Sequence, residues 1–549
     1  MSERLELGRD AFDRQAWRRA YEQLAEAEDE TPLDVEDLER LAASAYLAGL
    51  SAESADVWSR VHRQCAEIGD VTRAARCGFW LAFALLNQGD LVHGGGWVDR
   101  TQRLLDETHV ECVEHGYLRF ASAMRSVFSG DVESAHQKYR EALGIGERFR
   151  DPQLVTLARI GEGRCQIYLG DVEGGVTLLD EAMVAMGTPE ISPIATGDAY
   201  CTVIDGCYEL FDVARASAWT ADLSAWCDLQ PELVLYRGEC MVHRAELMLL
   251  HGQWSTAIDE LDRGTARLAE PAETRIRASA SFLRGELHRL TGEQSDAEDA
   301  YRVAREGGYD PQLGVALLRL SQGRTSDAEA AIRRALNEAE DPFTRIRVLG
   351  PYVEIVVAAG DVPAGRAAAD ELAGLAHAMP RPLVKAMAES ANGLVLLAEG
   401  DATGALTALR HGWRIWHDVG APYEAARVRA RLALACRAVG DTDTATMELD
   451  AARSIFSSLG ATPDVEWVRS LVDEPADLPD GVTPREAEVL ALVAEGLTNR
   501  QVASRLTISE KTVASHLAHV FTKVGLQSRA AATAYAIAHG LTRTPTEEP

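Results

Sequence analysis

The sequence predicts an all-α protein. A right-handed α-solenoid of about twelve helical hairpins occupies residues 1–472, a linker follows at 473–481, and a separate four-helix module fills 482–545. Three observations lead there. Gly-Asp recurs at Gly89, Gly130, Gly170, Gly360, Gly400 and Gly440, mostly 40 or 41 residues apart. A small residue stands five positions after each such turn. The acidic, proline-rich stretch DEPADLPDG then breaks the pattern, and the last segment differs in charge. At 549 residues the chain exceeds the ~100–200 residues of one domain, and a repeat array is one way to use that length.

Extending the register gives turn anchors at Gln15, Gly49, Gly89, Gly130, Gly170, Phe211, Gly252, Gly292, Gly323, Gly360, Gly400 and Gly440. Five residues on stand Ala20, Ser54, Gly94, Ala135, Gly175, Ala216, Ala257, Ala297, Ala328, Gly365, Ala405 and Ala445, all small. The physics is helix packing. A left-handed glycine ends one helix, Asp caps the next, and a small residue one turn further lets the two helices approach. The weakest units are those at Gln15 and Phe211, where the glycine is missing. Residues 130–143 (GDVESAHQKYREAL) carry the pattern best. In this it resembles the tetratricopeptide repeat, lengthened to about 40 residues, as in the solenoids of MalT-like bacterial regulators. That resemblance implies a concave groove that binds an effector, either a small molecule or a protein.

Composition excludes several classes. Apolar residues make up 46% and charged residues 26%, which does not suit a disordered chain. No stretch approaches the roughly 18 apolar residues of a membrane span. The start, MSERLELGRD, lacks the features of a secretion signal. The expected location is therefore cytoplasmic, with no membrane partner. Nine cysteines without a CxxC pair read as reduced, mostly buried thiols.

Catalytic and cofactor motifs are expected to be absent. None of the four lysines follows a glycine, so no phosphate-cradling Gly-Lys-Ser/Thr loop exists, and the ATPase module of MalT-like proteins is missing. His93-Gly94-Gly95-Gly96 resembles an oxyanion loop, but no GxSxG elbow accompanies it, and its glycines fall on the repeat. His109, Cys112 and His115, read on a helix, do not share one face, which argues against metal binding. Trp413 and Trp416 read as solenoid packing. The expectation is no catalytic residue, no cofactor and no metal.

The net charge of −30 is unevenly placed. Residues 481–549 hold seven Lys/Arg against six Glu, leaving 48 basic and 79 acidic residues in 1–480, so −31 precedes a segment of +1. That segment reads as four short capped helices. Thr483-Pro484-Arg485-Glu486 is a capping box, Thr498 with Gln501 caps a second helix, Ser509 a third and Ser528 a fourth. Only residues 507–509 separate the second helix from the third, the short turn of a helix-turn-helix. On the third, Val513, Leu517, Val520 and Val524 form one stripe, and Lys511, Ser515, Ala518 and Thr522 face the other way, flanked by Thr512, Ala514 and His519. Residues 483–536 are similar to the LuxR-type helix-turn-helix: TPRE, EG-L-TN-R-Q-VA, L-ISEKTV--H, KVG and SR fall at that family's spacing.

The resemblance implies a DNA-binding motif at 499–518, with the helix from Glu510 entering the major groove. Arg500, Arg505, Lys511, Lys523 and Arg529, with Thr498 and Thr512, are the expected phosphate contacts. Asn499, Ala514, Ser515, Ala518 and His519 complete the expected surface. Where Ala514 and Ala518 stand, the family often has Lys or Arg. The favoured function is a transcriptional regulator that binds promoter DNA as a homodimer and whose solenoid senses an effector. The alternative is a protein-interaction scaffold with a weakened DNA-binding module.

Overall fold

The computed structural model describes residues 3–186, 190–230, 232–268, 274–473, 479–506 and 508–541. All regular structure among them is helical, and no described helix is long and apolar enough to cross a membrane. The chain divides into two compact units, Met1–Glu466 and Trp467–Pro549.

The first unit is a run of antiparallel helix pairs, such as Val71–Asn87 with Leu91–Thr108 and Pro382–Ala398 with Ala402–Val419. All twelve anchor residues adopt positive φ, including Gln15 (φ 60°) and Phe211 (φ 57°). Asp90, Asp131, Asp171, Asp361, Asp401 and Asp441 then cap the following helix, each accepting from a backbone N–H three residues on. Every residue five positions after the anchor is buried. The reason is close approach: a Cβ added at Gly175 would lie 2.5 Å from the Gly163 carbonyl oxygen on the paired helix.

Gln15 holds a left-handed conformation that strains any side chain. Gln15→Gly should therefore raise stability by about 0.5–1 kcal/mol, the relief exceeding glycine's own entropic cost. A lowered urea midpoint would contradict this. Phe211 is different, because its ring is buried with the Arg347 guanidinium 5.6 Å from the ring centroid, and that packing holds the strained backbone.

The array does not stay open. Trp17 Nε1 donates to Gln230 Oε1 at 3.0 Å, the Val234 N–H donates to the Leu47 carbonyl at 3.0 Å, and Arg381 reaches Glu173 at 3.3 Å. Pairs four or five units apart thus touch, so the expected groove is partly closed into an interior. In the later pairs, polar side chains converge. Arg427 and Arg431 both pair with Glu354, Arg289 pairs with Glu286 at 2.6 Å, and the Tyr423 hydroxyl donates to Asp464 at 3.1 Å. The earlier pairs leave a cavity. All nine cysteines are buried and free. His109, Cys112 and His115 span the turn between helices rather than one helix, and His115 Nε2 lies 3.1 Å from the Val110 carbonyl. Trp416 is buried against Ser390, and Trp413 stacks on His417.

The second unit holds helices Pro484–Ala494, Asn499–Leu506, Glu510–Val524 and Arg529–Ala538, preceded by a 3₁₀ turn at Pro479–Gly481. Of the expected linker, 474–478 lie outside the described residues, as do Thr507 and 542–549. Two small cores hold the unit together. Val489, Leu492, Val502, Val513 and Leu517 pack in one, and Leu490, Val520, Ala532, Tyr535 and Ala536 in the other.

Candidate nucleic-acid interface and the interior cavity

Capping fixes the ends of the module's helices. The Thr483 hydroxyl accepts from the Glu486 N–H, and Glu486 accepts from the Thr483 N–H at 2.9 Å, closing the box. Glu486 is nearly buried, which alone would raise its pKa. Hydrogen bonds from Lys523 (2.7 Å) and Thr483 outweigh that and hold the carboxyl below its usual range. Gln501 Oε1 accepts from the Thr498 N–H at 2.8 Å and from its hydroxyl at 2.9 Å. Ser509 accepts from the Thr512 N–H, and their hydroxyls lie 2.7 Å apart. Arg485 donates to the Leu506 carbonyl at 2.9 Å, closing the C-terminal end of the second helix.

The third helix divides as the stripe implies. Val513, Leu517 and Val520 are buried and Val524 is half-buried, whereas Lys511, Ala514, Ser515, Ala518, His519 and Thr522 are exposed. This leaves a smooth outward face of small and polar side chains with one cation near its start. Arg500 is 88% exposed, with only a 4.0 Å ion pair to Glu510. Arg505 and Lys511 are exposed and form no ion pair with a described residue.

The other expected contacts are engaged within the module. Lys523 spans Glu486 and the Gly481 carbonyl. Arg529 donates to Asn499 Oδ1 at 2.7 Å and to the Leu497 carbonyl, pinning the turn before the second helix. Thr512 is half-buried in the Ser509 cap. The bonds of Lys523 and Arg529 join residues 30 or more positions apart, which the resemblance behind their expected phosphate contacts does not reveal. The fourth helix exposes Ala530, Ala534, Ile537 and Ala538 on one side, and Tyr535 ties it to the 3₁₀ turn through Asp480 at 2.9 Å.

In the first unit the cavity encloses about 490 Å³. Phe120, Met124, Leu157 and Ile160 supply apolar wall, and Arg164, Asp198, Asp205, Glu209 and Glu239 supply charge. Arg164 is already matched, donating to Glu209 at 2.7 Å and to the Thr202 carbonyl at 2.6 Å. Four carboxylates against one guanidinium among these lining residues give the space a negative bias.

Residues 480–536 match the bacterial regulatory proteins, luxR family. Over 48 residues the chain is 52% identical to the HTH-type transcriptional regulator Rv0890c of Mycobacterium tuberculosis, covering 9% of this chain and 5% of that protein. It is 30% identical over 105 residues to the DNA-binding transcriptional activator DevR/DosR of the same organism, covering 19% and 48%. With the response regulator VraR of Staphylococcus aureus it shares 36% over 74 residues, covering 14% and 35%. The chain therefore spans less than half the length of each of these relatives. Two solved structures align loosely along the helices: the APC/C hetero-tetramer Cut9–Hcn1 (TM-score 0.34, 13% identity, 83% of this chain and 95% of that one) and a Rap protein complexed with competence and sporulation factor (TM-score 0.39, 11% identity, 71% and 99%).

Proposed function

We propose that this chain, whose residues 480–536 form a luxR-family module, is a sequence-specific DNA-binding transcriptional regulator that reads promoter DNA as a homodimer. The observation that carries this reading is the outward face of the Glu510–Val524 helix. Small side chains and Lys511 lie on one side of a helix whose other side is anchored in a packed core. A helix this smooth fits the major groove, where Ser515 offers a hydrogen bond and Ala514 and Ala518 offer apolar contact to thymine methyls. Arg500, Arg505 and Lys511 are the cations for phosphates. Lys523, Arg529, Asn499 and Thr512 act mainly by holding those elements in place. Exposed alanines and Ile537 on the fourth helix supply the dimer contact, because one small module buries too little surface for specific affinity.

The test is a salt titration on duplex DNA. Phosphate contacts give a linear fall of log affinity with log salt, and Lys511→Ala should lower that slope by about 1. An unchanged slope would remove Lys511 from the interface, and no slope in the parent protein would favour a scaffold role.

The repeat unit receives the signal and restrains DNA binding until it is occupied. Residues 1–480 carry −31, and a short connection keeps that charge near the module at a millimolar-range effective concentration. Such charge repels phosphates over about 8 Å at physiological salt. An effector that binds one state of the unit better than another would shift this competition. The fragment 467–549, with its own two cores, should then bind one operator more tightly than the full chain, the gap narrowing as salt rises. Equal affinities at every salt concentration would reduce the repeat unit to a docking platform.

A further inference from the structure

We propose that Cys201, Glu239 and His243, joined by Asp205, bind a divalent transition-metal ion at the wall of the interior cavity, with zinc the ion their chemistry selects. The thiol sulfur, a Glu239 carboxylate oxygen and a His243 ring nitrogen all lie within 4.8 Å of one another. Two neighbouring helices supply them in the same way. Cys201 and Asp205 stand one turn apart on Pro193–Glu209, and Glu239 and His243 stand one turn apart on Arg237–Leu250. Spacing of i,i+4 puts each pair on one helix face, and the two helices touch, so Cys201, Glu239 and His243 meet at one place with Asp205 Oδ1 3.9 Å from His243 Nε2.

A second, independent observation points to a ligand. His243 is 5% exposed, and its Nε2 has no hydrogen-bond partner, standing 3.9 Å from Asp205 Oδ1. Leaving a buried ring nitrogen unsatisfied costs about 1–3 kcal/mol, and a metal ion would satisfy it. The ring is held from behind, since the Tyr208 hydroxyl donates to the His243 carbonyl at 2.8 Å and the two rings stack at 6.0 Å. Cys201, Asp205 and Glu239 also line the cavity, which gives an ion its way in.

Donor type chooses the ion. Calcium and magnesium take oxygen ligands, whereas thiolate with imidazole and carboxylate suits zinc in tetrahedral geometry. Zinc needs its donors about 2.0–2.3 Å away, which asks the side chains to close in by roughly an ångström. Binding replaces the S–H bond of Cys201 with a sulfur–metal bond and releases the proton to solvent, so affinity rises with pH. This site stands or falls independently of the DNA-binding reading.

The experiment uses the full chain, stripped with a chelator and titrated with Co²⁺, then with Zn²⁺. One ion per chain should bind, with the thiolate-to-cobalt charge-transfer band in the near ultraviolet and the visible bands of a tetrahedral site, and Zn²⁺ should displace it. Cys201→Ala should lose the charge-transfer band, and Glu239→Gln and His243→Ala should weaken binding at least roughly tenfold. Cys207→Ala should keep the band. Far-ultraviolet circular dichroism checks folding, and if Cys201→Ala does not fold, Glu239→Gln decides. Failure to retain one ion per chain, a band that survives in Cys201→Ala, or full affinity in a folded Glu239→Gln would overturn the proposal.

Discussion

Replacing Glu354 by Leu lowers the stability of the repeat unit by about 3 kcal/mol, the expected result of stripping one partner from a half-buried ionic cluster. Glu354 lies between Arg427 and Arg431, and Arg289 adds to the positive field it faces. Burial on its own would raise the carboxyl, but the arginines outweigh it and hold its pKa down at about 2 against an ordinary 4.5. A folded pKa below the unfolded one means the contribution is fully present above pH 4.5 and is lost as pH falls toward 2. The shift corresponds to about 3 kcal/mol over that window. Urea unfolding of parent and Glu354→Leu should therefore differ at neutral pH and converge on acidification. A loss under about 1 kcal/mol at pH 7 would show that the arginines find water or other carboxylates when Glu354 is gone.

Ala518→Glu should abolish specific DNA binding, by at least about 100-fold or roughly 3 kcal/mol, while leaving the module folded. Ala518 is exposed near the middle of the helix proposed to enter the groove, so a carboxylate there would face bases flanked by phosphates. Glu is a good helix former at an exposed position, so thermal stability should change by no more than about 0.5 kcal/mol. Calorimetry separates the two effects. Retained binding would mean that another face of the module meets DNA.

Much of the local architecture was legible because it is written in local chemistry. All twelve turns adopt positive φ, and the residues five positions on are buried, even around Gln15 and Phe211, where the glycine signal is absent. The caps at Thr483, Thr498, Ser509 and Ser528 appear where their spacing put them. What escaped depends on residues far apart in sequence. The contact of Trp17 with Gln230 closes the array, yet neither residue carries a local sign of it. Lys523 and Arg529 read as free cations until the fold brought them to Glu486 and Asn499. The Cys201 and His243 cluster was missed for a similar reason. A search for three ligands on one helix fails when Cys201 and Asp205 stand on one helix and Glu239 and His243 stand 38 residues further on, on another. Two i,i+4 ligand pairs one repeat apart are the signal that could have found it.

The proposed reading of DNA sequence by the Glu510–Val524 helix is tested most directly by selecting ligands for the full chain from a pool of random duplexes. Enrichment of an inverted repeat with half-sites about one helical turn apart, lost in Ala518→Glu, is the predicted result. A pool that stays random after selection at low salt, or an enriched sequence that Ala518→Glu binds equally well, would contradict it.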